Sequence, residues 1–100
     1  MDAAGGRSTA NETRVVTVRY WASARAAAGV ARDELAADGP ITLADVVRRA
    51  VALHPDGRLP QVLPICSVLV GERPVSSEDP ADVLVSPGEI VEFLPPFAGG

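Results

Sequence analysis

The sequence of 100 residues is long enough for one small domain, and its composition, 47% hydrophobic and 22% charged, is typical of a folded globular protein. A chain of this length buries only about 60–65% of the surface that it exposes when unfolded, which disfavours a large internal active-site cavity. The formal net charge of -4, with arginines scattered along the chain, argues against nucleic acid as a partner.

Several kinds of chemistry lack the residues that they need. Cys66 is the only cysteine and His54 the only histidine, which excludes an internal disulfide and disfavours a metal site or a Ser/His/Asp triad. All 9 basic side chains are arginine, so no side-chain amine is present to act as a nucleophile. We interpret Cys66 as a small buried hydrophobic residue and His54 as a helix-terminal residue. The sequence shows no secretion signal and no apolar run of about 18 residues, so we expect a cytoplasmic protein without a membrane span.

The predicted elements begin after a small, polar segment at residues 1–13, which we expect to be a flexible leader. The alternating pattern of "RVVTVRYW", residues 14–21, predicts a strand. Its even-numbered residues share one face, and its odd-numbered residues share the other. Since Arg19 belongs to the odd-numbered face, that face is expected to be the wetter one.

Helices are predicted in the next part of the chain. "ASARAAAG" predicts a short helix closed by Gly29, and the following residues 31–39 are a weak candidate for an edge strand. Thr42 is a good N-cap for a helix over residues 43–53, where the apolar residues recur at helical spacing, and Pro55 stops that helix.

The second half of the chain predicts mainly strands. "ICSVLVG" is an apolar run typical of a buried strand, and a turn after it leads to a brief partner strand at residues 73–75. Residues 76–89 are predicted as loop, with a turn at Pro87 and Gly88, and residues 89–94 as the last strand. These elements describe an α+β domain over residues 14–94, with one main helix packed on one face of a mixed sheet.

The faces of the first and last strands predict a surface for a partner. A carboxylate at Glu92 should face water unless it is paired, and it would turn Ile90 and Leu94 outward with it. Arg19 turns Trp21 outward in the same way. If the two strands are neighbours, these apolar residues form a patch rimmed by charge, which is typical of a docking surface. The alternative is that Trp21 folds beneath the alanine-rich helix and that Leu94 merely ends its strand.

The last six residues predict an extended tail, residues 95–100. Pro95 and Pro96 cannot donate ladder hydrogen bonds, so they end the sheet and direct Phe97 and the glycines away from it, over about 20 Å. The α-carboxylate of Gly100, with a pKa of about 3.5, is ionised and needs activation before it can react. The sequence contains no motif for ATP binding, so the activating enzyme is expected to be a separate protein. The alternative is that these residues are a frayed terminus without a function.

The segments "VRYWASARAAAG", "CSVLVGERPV" and "GEIVEFLPPFAGG" resemble the MoaD/ThiS ubiquitin-like sulfur carriers, and among them most closely the small subunit of molybdopterin synthase. The resemblance extends over residues 14–100 and implies a β-grasp (ubiquitin-like) fold. It also implies that an E1-like enzyme adenylates Gly100 with ATP and that a persulfide donor then converts it to a thiocarboxylate. The carrier would next insert its tail into the large, catalytic subunit, which builds the dithiolene of molybdopterin from cyclic pyranopterin monophosphate.

The resemblance further implies roles for individual residues. Gly100 would carry the sulfur, and Gly99 would give steric access to it. The carrier itself would have no other active site and no stably bound cofactor or metal. The positions that match partner-facing residues of the family are Trp21, Pro74, Leu94 and Phe97, and Arg25 matches an arginine of its opening motif.

Three alternatives remain open at this point. The carrier could supply sulfur for thiamine, cysteine or tungsten-cofactor synthesis. The chain could instead be a ubiquitin-like modifier of lysines on other proteins, although without lysine it could not form side-chain-linked chains on itself. It could also be a binding module in which the diglycine is incidental.

Overall fold

The computed structural model describes residues 14–96, which form seven strands and three α-helices. The predicted leader, together with Phe97, Gly99 and Gly100 of the predicted tail, lies outside the described residues. In chain order the elements are β1 (Val15–Tyr20), α1 (Ala22–Ala28), β2 (Arg32–Ala36), β3 (Ile41–Thr42), α2 (Leu43–Leu53), α3 (Leu59–Val62), β4 (Ser67–Val70), β5 (Arg73–Pro74), β6 (Leu84–Val85) and β7 (Ile90–Leu94). None of these helices is long and apolar enough to cross a membrane.

Five of the strands form one mixed sheet in the order β2-β1-β7-β4-β5. The first and last strands, β1 and β7, are parallel neighbours at its centre, and every other neighbouring pair is antiparallel. The prediction of an α+β domain with a mixed sheet and one main helix is therefore confirmed. The edge strand expected within residues 31–39 is also present, as β2.

The predicted loop over residues 76–89 contains more structure than its sequence indicates. Within it, β6 pairs antiparallel with β3 to form a second, two-stranded sheet. Ahead of β6, the carboxylate of Asp79 accepts a hydrogen bond from the backbone N–H of Ala81, 3.0 Å away, and begins a single turn of 3-10 helix. A strand of two residues is too short to carry a periodic pattern, so the sequence gives no signal for this pair.

The core lies between the sheet and α2. Along β1 and β7 the side chains alternate between buried and accessible, which gives the sheet an inner face that packs on the helices and an outer face that does not. The largest inner-face side chains are Tyr20 and Phe93, which are 2% and 1% exposed and stack with ring centroids 6.3 Å apart. Residues that α2 contributes to the core are Leu43, Val46 and Ala50.

The main helix begins and ends where the sequence predicts. The hydroxyl of Thr42 accepts a hydrogen bond from the backbone N–H of Asp45 at 3.1 Å, which satisfies one of the free donors of the first turn. The helix ends at Leu53, with His54 at its C-cap and Pro55 beyond. The short helix α1 is likewise closed by Gly29, whose φ of 79° lies in the left-handed region that glycine adopts without strain.

Candidate functional site

The outer face of the sheet carries a row of residues that crosses all five strands. In the strand register Arg32 lies opposite Arg19, Arg19 beside Glu92, Glu92 opposite Leu69, and Leu69 opposite Pro74. Neighbouring strands are about 4.8 Å apart, so the row is continuous from one edge of the sheet to the other. The outer face is therefore one surface, with a charged half on β2 and β1 and an apolar half on β4 and β5.

The predicted partner residues of the described chain lie on this face. Trp21 and Ile90 are 38% and 39% exposed, Pro74 is exposed, and Leu94 is half-buried. The backbone N–H of Trp21 donates to the carbonyl of Phe93 at 3.0 Å, so Trp21 extends β1 beside the end of β7 and does not fold beneath α1. The structure thus brings Trp21, Ile90 and Leu94 together on one face, as the strand patterns predict.

Charge lies inside this apolar surface and not only at its rim, which differs from the expectation. Nη1 of Arg19 is 3.4 Å from Oε2 of Glu92, and the indole N–H of Trp21 donates to the same oxygen at 3.3 Å. The guanidinium of Arg19 also lies 4.8 Å from the centre of the Trp21 ring, which is cation–π distance. Arg19 and Glu92 lie side by side on paired strands and point to the same face, so they meet at the centre of the outer face. Together they hold the indole in place before any partner binds.

The backbone that follows Trp21 is strained. Ala22 has a φ of 51° and is the sole non-glycine residue in the described part of the chain with a positive φ. A left-handed conformation costs an alanine about 1–2 kcal/mol. This residue turns the chain from β1 into α1 within a single step, which leaves Trp21 on the outer face and directs α1 back over the core.

Arg25, on the exposed side of α1, lines a shallow pocket next to Trp21. Its volume is about 300 Å³, and Arg19, Arg32 and Ile90 also line it. Arg25, which matches an arginine of the family's opening motif, thus lines the same pocket as Trp21. The sequence alone gives no indication that Arg32, from the edge strand, joins them.

The tail leaves the domain at this same end of the sheet. Strand β7 ends at Leu94, and Pro95 and Pro96 are exposed and outside the sheet. Proline lacks the backbone N–H that would donate to a neighbouring strand, so the hydrogen-bonded ladder of the sheet ends before Pro95. The exit point therefore adjoins the Trp21 end of the outer face.

The family model that matches this chain is the ThiS family, over residues 18–100. The chain belongs to the ThiS family. The resemblance to the MoaD/ThiS ubiquitin-like sulfur carriers, seen in the sequence motifs, is thereby confirmed. The match includes the second half of β1, Trp21 and the whole of the predicted tail.

Solved structures share the fold of this ThiS-family chain. The HVO 2177 protein of Haloferax volcanii matches with a TM-score of 0.68 and 27% identity, covering 89% of this chain and 89% of that chain. Small archaeal modifier protein 1 of Methanosarcina acetivorans has a TM-score of 0.66 and 20% identity, covering 86% and 96%. A chain of the complex of subunits 1 and 2 of molybdopterin-converting factor from Helicobacter pylori has a TM-score of 0.56 and 21% identity, covering 86% and 99%. The β-grasp fold is thereby confirmed. No curated protein sequence gives a significant match.

One outer-face residue of this ThiS-family chain is not predicted from the sequence. Leu69 is half-buried between Glu92 and Pro74, where it extends the apolar half of the face. The segment "ICSVLVG" is predicted to be buried throughout, because nearly every residue in it is apolar. The available signal is Ser67, which shares the face of Leu69 and is the one polar residue of β4.

A polar cluster on the inner side also escapes prediction. Oδ2 of Asp33 accepts a hydrogen bond from the Tyr20 hydroxyl at 2.7 Å and lies 2.6 Å from Nε2 of His54. Burial, and next the hydrogen bond to Asp33, raises the pKa of Tyr20. The cluster ties the end of α2 to β1 and the edge strand β2. His54 thus has a structural partner, in agreement with its interpretation as a helix-terminal residue. The signal in the sequence is Leu35, a core residue two positions after Asp33, which places Asp33 on the inner face.

Cys66 is buried, as predicted, and its thiol donates to the carbonyl of Val62 at 3.4 Å. Burial raises the pKa of the Cys66 thiol, which disfavours the reactive thiolate. Within residues 14–96 no group of three or more His, Cys, Asp or Glu side chains is arranged to hold a metal ion.

Proposed function

We propose that this chain is a sulfur carrier that acts as the small subunit of molybdopterin synthase in the cytoplasm. Its Gly100 carboxylate would be adenylated by an E1-like enzyme and then converted to a thiocarboxylate. The observation that carries the proposal is the ThiS-family match, which runs from β1 through Gly100. The match makes the tail part of the family pattern, so a frayed terminus is the weaker explanation for it.

The chemistry of the tail explains why two other proteins are needed. A carboxylate is a poor electrophile, so its oxygen must first attack the α-phosphate of ATP, with pyrophosphate as the leaving group. The terminal sulfur of a donor persulfide then attacks the acyl-adenylate, AMP leaves, and an acyl disulfide to the donor forms. A thiol must next attack the donor sulfur of that disulfide and supply the two electrons that cleave the S–S bond, which releases the thiocarboxylate and leaves the donor in a disulfide with the thiol. Gly99 would keep the reacting carbon accessible, because glycine has no side chain to obstruct the approach.

The location of the tail exit supports delivery into a partner. The chain leaves the sheet after Leu94, beside Trp21, and the six residues of the tail could reach about 20 Å from the sheet. Phe97 would be an apolar contact on that path. A partner that covers the outer face would therefore receive the tail at one end of its own binding surface.

The kind of partner is supported by a structural neighbour. The Helicobacter pylori structure is a complex of subunits 1 and 2 of molybdopterin-converting factor, and its fold is shared by this chain. A large catalytic subunit is accordingly the recipient that we propose. Trp21, Leu94 and Pro74 would contact it, with Trp21 as the main anchor because its ring is already held by Arg19 and Glu92.

A sulfur-transfer assay with a matched pair of variants tests this proposal. Thiocarboxylated carrier is mixed with the large subunit from the same genome, and conversion of cyclic pyranopterin monophosphate is followed under limiting carrier. We expect Trp21→Ala to lower the transfer rate about thirtyfold or more, since loss of an aromatic anchor typically costs about 2 kcal/mol or more of binding. Leu84→Ala is the control, because Leu84 is 58% exposed but lies on β6, outside the five-stranded sheet.

Two outcomes would count against the proposal. If the loaded wild-type carrier transfers no sulfur to the pterin precursor with an active large subunit, the assignment to molybdopterin synthesis is wrong. If Trp21→Ala and Leu84→Ala transfer sulfur at the wild-type rate, the outer face is not the docking surface.

A further inference from the structure

Two arginines face each other on the outer side of the sheet. Arg19 of β1 and Arg32 of β2 are directly opposite in the antiparallel register, so their side chains leave the sheet on the same face. Like charges in this position destabilise a strand pair. Selection for stability alone would not favour two arginines opposite each other between β1 and the edge strand β2.

The surrounding charges balance this pair only in part. Glu92 pairs with Arg19, but within residues 14–96 neither Arg32 nor Arg25 forms an ion pair. None of the described residues that line the pocket carries a carboxylate. Glu34 lies on the same face of β2, opposite Thr17, and does not line the pocket. A local excess of positive charge therefore exists on a chain whose net charge is -4.

We propose that the pocket lined by Arg19, Arg25 and Arg32 accepts a carboxylate side chain of the protein that covers the outer face. The proposal rests on the proposed function, since the occupant belongs to the partner of the carrier. A guanidinium presents paired donors that match the two oxygens of a carboxylate. A pocket of about 300 Å³ has room for one such side chain. An acidic residue there would also neutralise the two arginines that face each other.

The position of the pocket favours a protein side chain over a free anion. Trp21 and Ile90 both line the pocket, so it is continuous with the apolar patch on which the partner would dock. Arg25 and Arg32 are exposed, and water and salt screen their attraction for a small free ion. A docked partner would exclude that water and strengthen each charged hydrogen bond.

The inference predicts opposite effects of one substitution on the free and the bound carrier. Arg32→Gln removes the repulsion with Arg19, so we expect the melting temperature of the free protein to rise by about 2 °C. The same variant loses a charged hydrogen bond in the complex, so we expect its affinity for the large subunit to fall roughly tenfold. An arginine with a merely structural role would lower the melting temperature when it is replaced.

Calorimetric titration of the carrier with the large subunit, at low and at moderate salt, measures the second effect. Wild-type affinity is expected to fall more steeply with salt than that of Arg32→Gln or Arg25→Gln. Arg48→Gln is the matched control, because it removes the same charge from α2, on the other side of the sheet, and its side chain is 72% exposed. Its affinity should equal that of the wild type.

The results that overturn the inference are distinct from those that overturn the function. A tight wild-type complex with unchanged affinity in both pocket variants refutes the pocket while the carrier function stands. A lower melting temperature of free Arg32→Gln refutes it as well. Inorganic phosphate that protects the free carrier against heat, in an Arg32-dependent way and at micromolar concentration, shows a small-anion site instead. A wild-type carrier that acquires no sulfur contradicts the proposed function, and one that binds neither partner enzyme refutes both.

Discussion

Tyr20 is a core residue whose ionisation makes the stability of the fold depend on pH. It is the only tyrosine in the chain, it is 2% exposed, and its hydroxyl donates to the carboxylate of Asp33. Ionisation of Tyr20 would place a buried negative charge next to another one, which is why burial and the Asp33 contact both raise its pKa. Its neutral form is thus part of the folded state.

The raised pKa predicts a loss of stability at high pH. An unfolded tyrosine ionises near pH 10, whereas the folded one stays neutral, so the contribution of Tyr20 is complete below about pH 10 and declines above it. The free energy of unfolding should fall by up to about 1.4 kcal/mol per pH unit in that range from this group. Urea unfolding at a series of alkaline pH values measures the slope.

Tyr20→Phe provides the comparison. The variant loses a hydrogen bond, so we expect it to be about 1 kcal/mol less stable at neutral pH. Above pH 10 its stability should decline less steeply than that of the wild type, with the buried Cys66 thiol, whose pKa is also raised, as a remaining source of dependence. Parallel curves for the two proteins would show that Tyr20 does not control alkaline unfolding.

At the scale of elements, the close contact between α1 and the segment after α2 depends on a glycine. A Cβ atom added at Gly57 would lie 2.4 Å from the carbonyl oxygen of Ala27, which belongs to backbone that cannot rotate away. Gly57→Ala should therefore destabilise the fold by about 1–3 kcal/mol, as overpacking does elsewhere. Gly39→Ala is the control, since nothing lies within 4 Å of its added Cβ. Urea denaturation that gives both variants the same stability would contradict this account.

The elements that local sequence patterns predict correctly differ from those that depend on distant residues. Thr42 and the helical spacing after it predict α2 to the residue, and alternation assigns the faces of β1 and β7 correctly. The pair of β3 and β6 and the contact between Asp33 and His54 depend on residues far apart in the chain. Neither has a local sequence pattern. A strand of two residues is too short to show a period, and the tertiary fold alone determines which polar side chain lies beside Asp33.

The candidate site divides in the same way. The outward direction of Trp21 and of Leu94 follows from Arg19 and Glu92 on the same strands. These residues form one surface only because the first and last strands pair in parallel. The sequence does not show that the two strands are neighbours, so the surface could be predicted only on that condition. The pocket at Arg32 was not predicted, because it depends on the register of a weakly patterned edge strand.

At the scale of the whole molecule, the proposed docking surface and the point where the tail departs lie on one sheet, and the tail departs at its Trp21 end. Its two most reactive side-chain types, Cys66 and His54, are committed to internal contacts. The arrangement suits a carrier that presents its C-terminus to enzymes and leaves the chemistry to them. The central claim is that the reacting group is the carboxylate of Gly100.

Intact-mass analysis of the full chain tests that claim most directly. The protein is incubated with its activating enzyme, ATP, a persulfide sulfur donor and a thiol reductant, and a variant that lacks Gly100 is treated identically. We predict that the wild-type mass shows one oxygen replaced by one sulfur, located by fragmentation at Gly100, and that the shortened variant is unchanged. An unmodified wild-type chain, under conditions where the enzyme demonstrably adenylates a carrier of its own organism, would contradict the account.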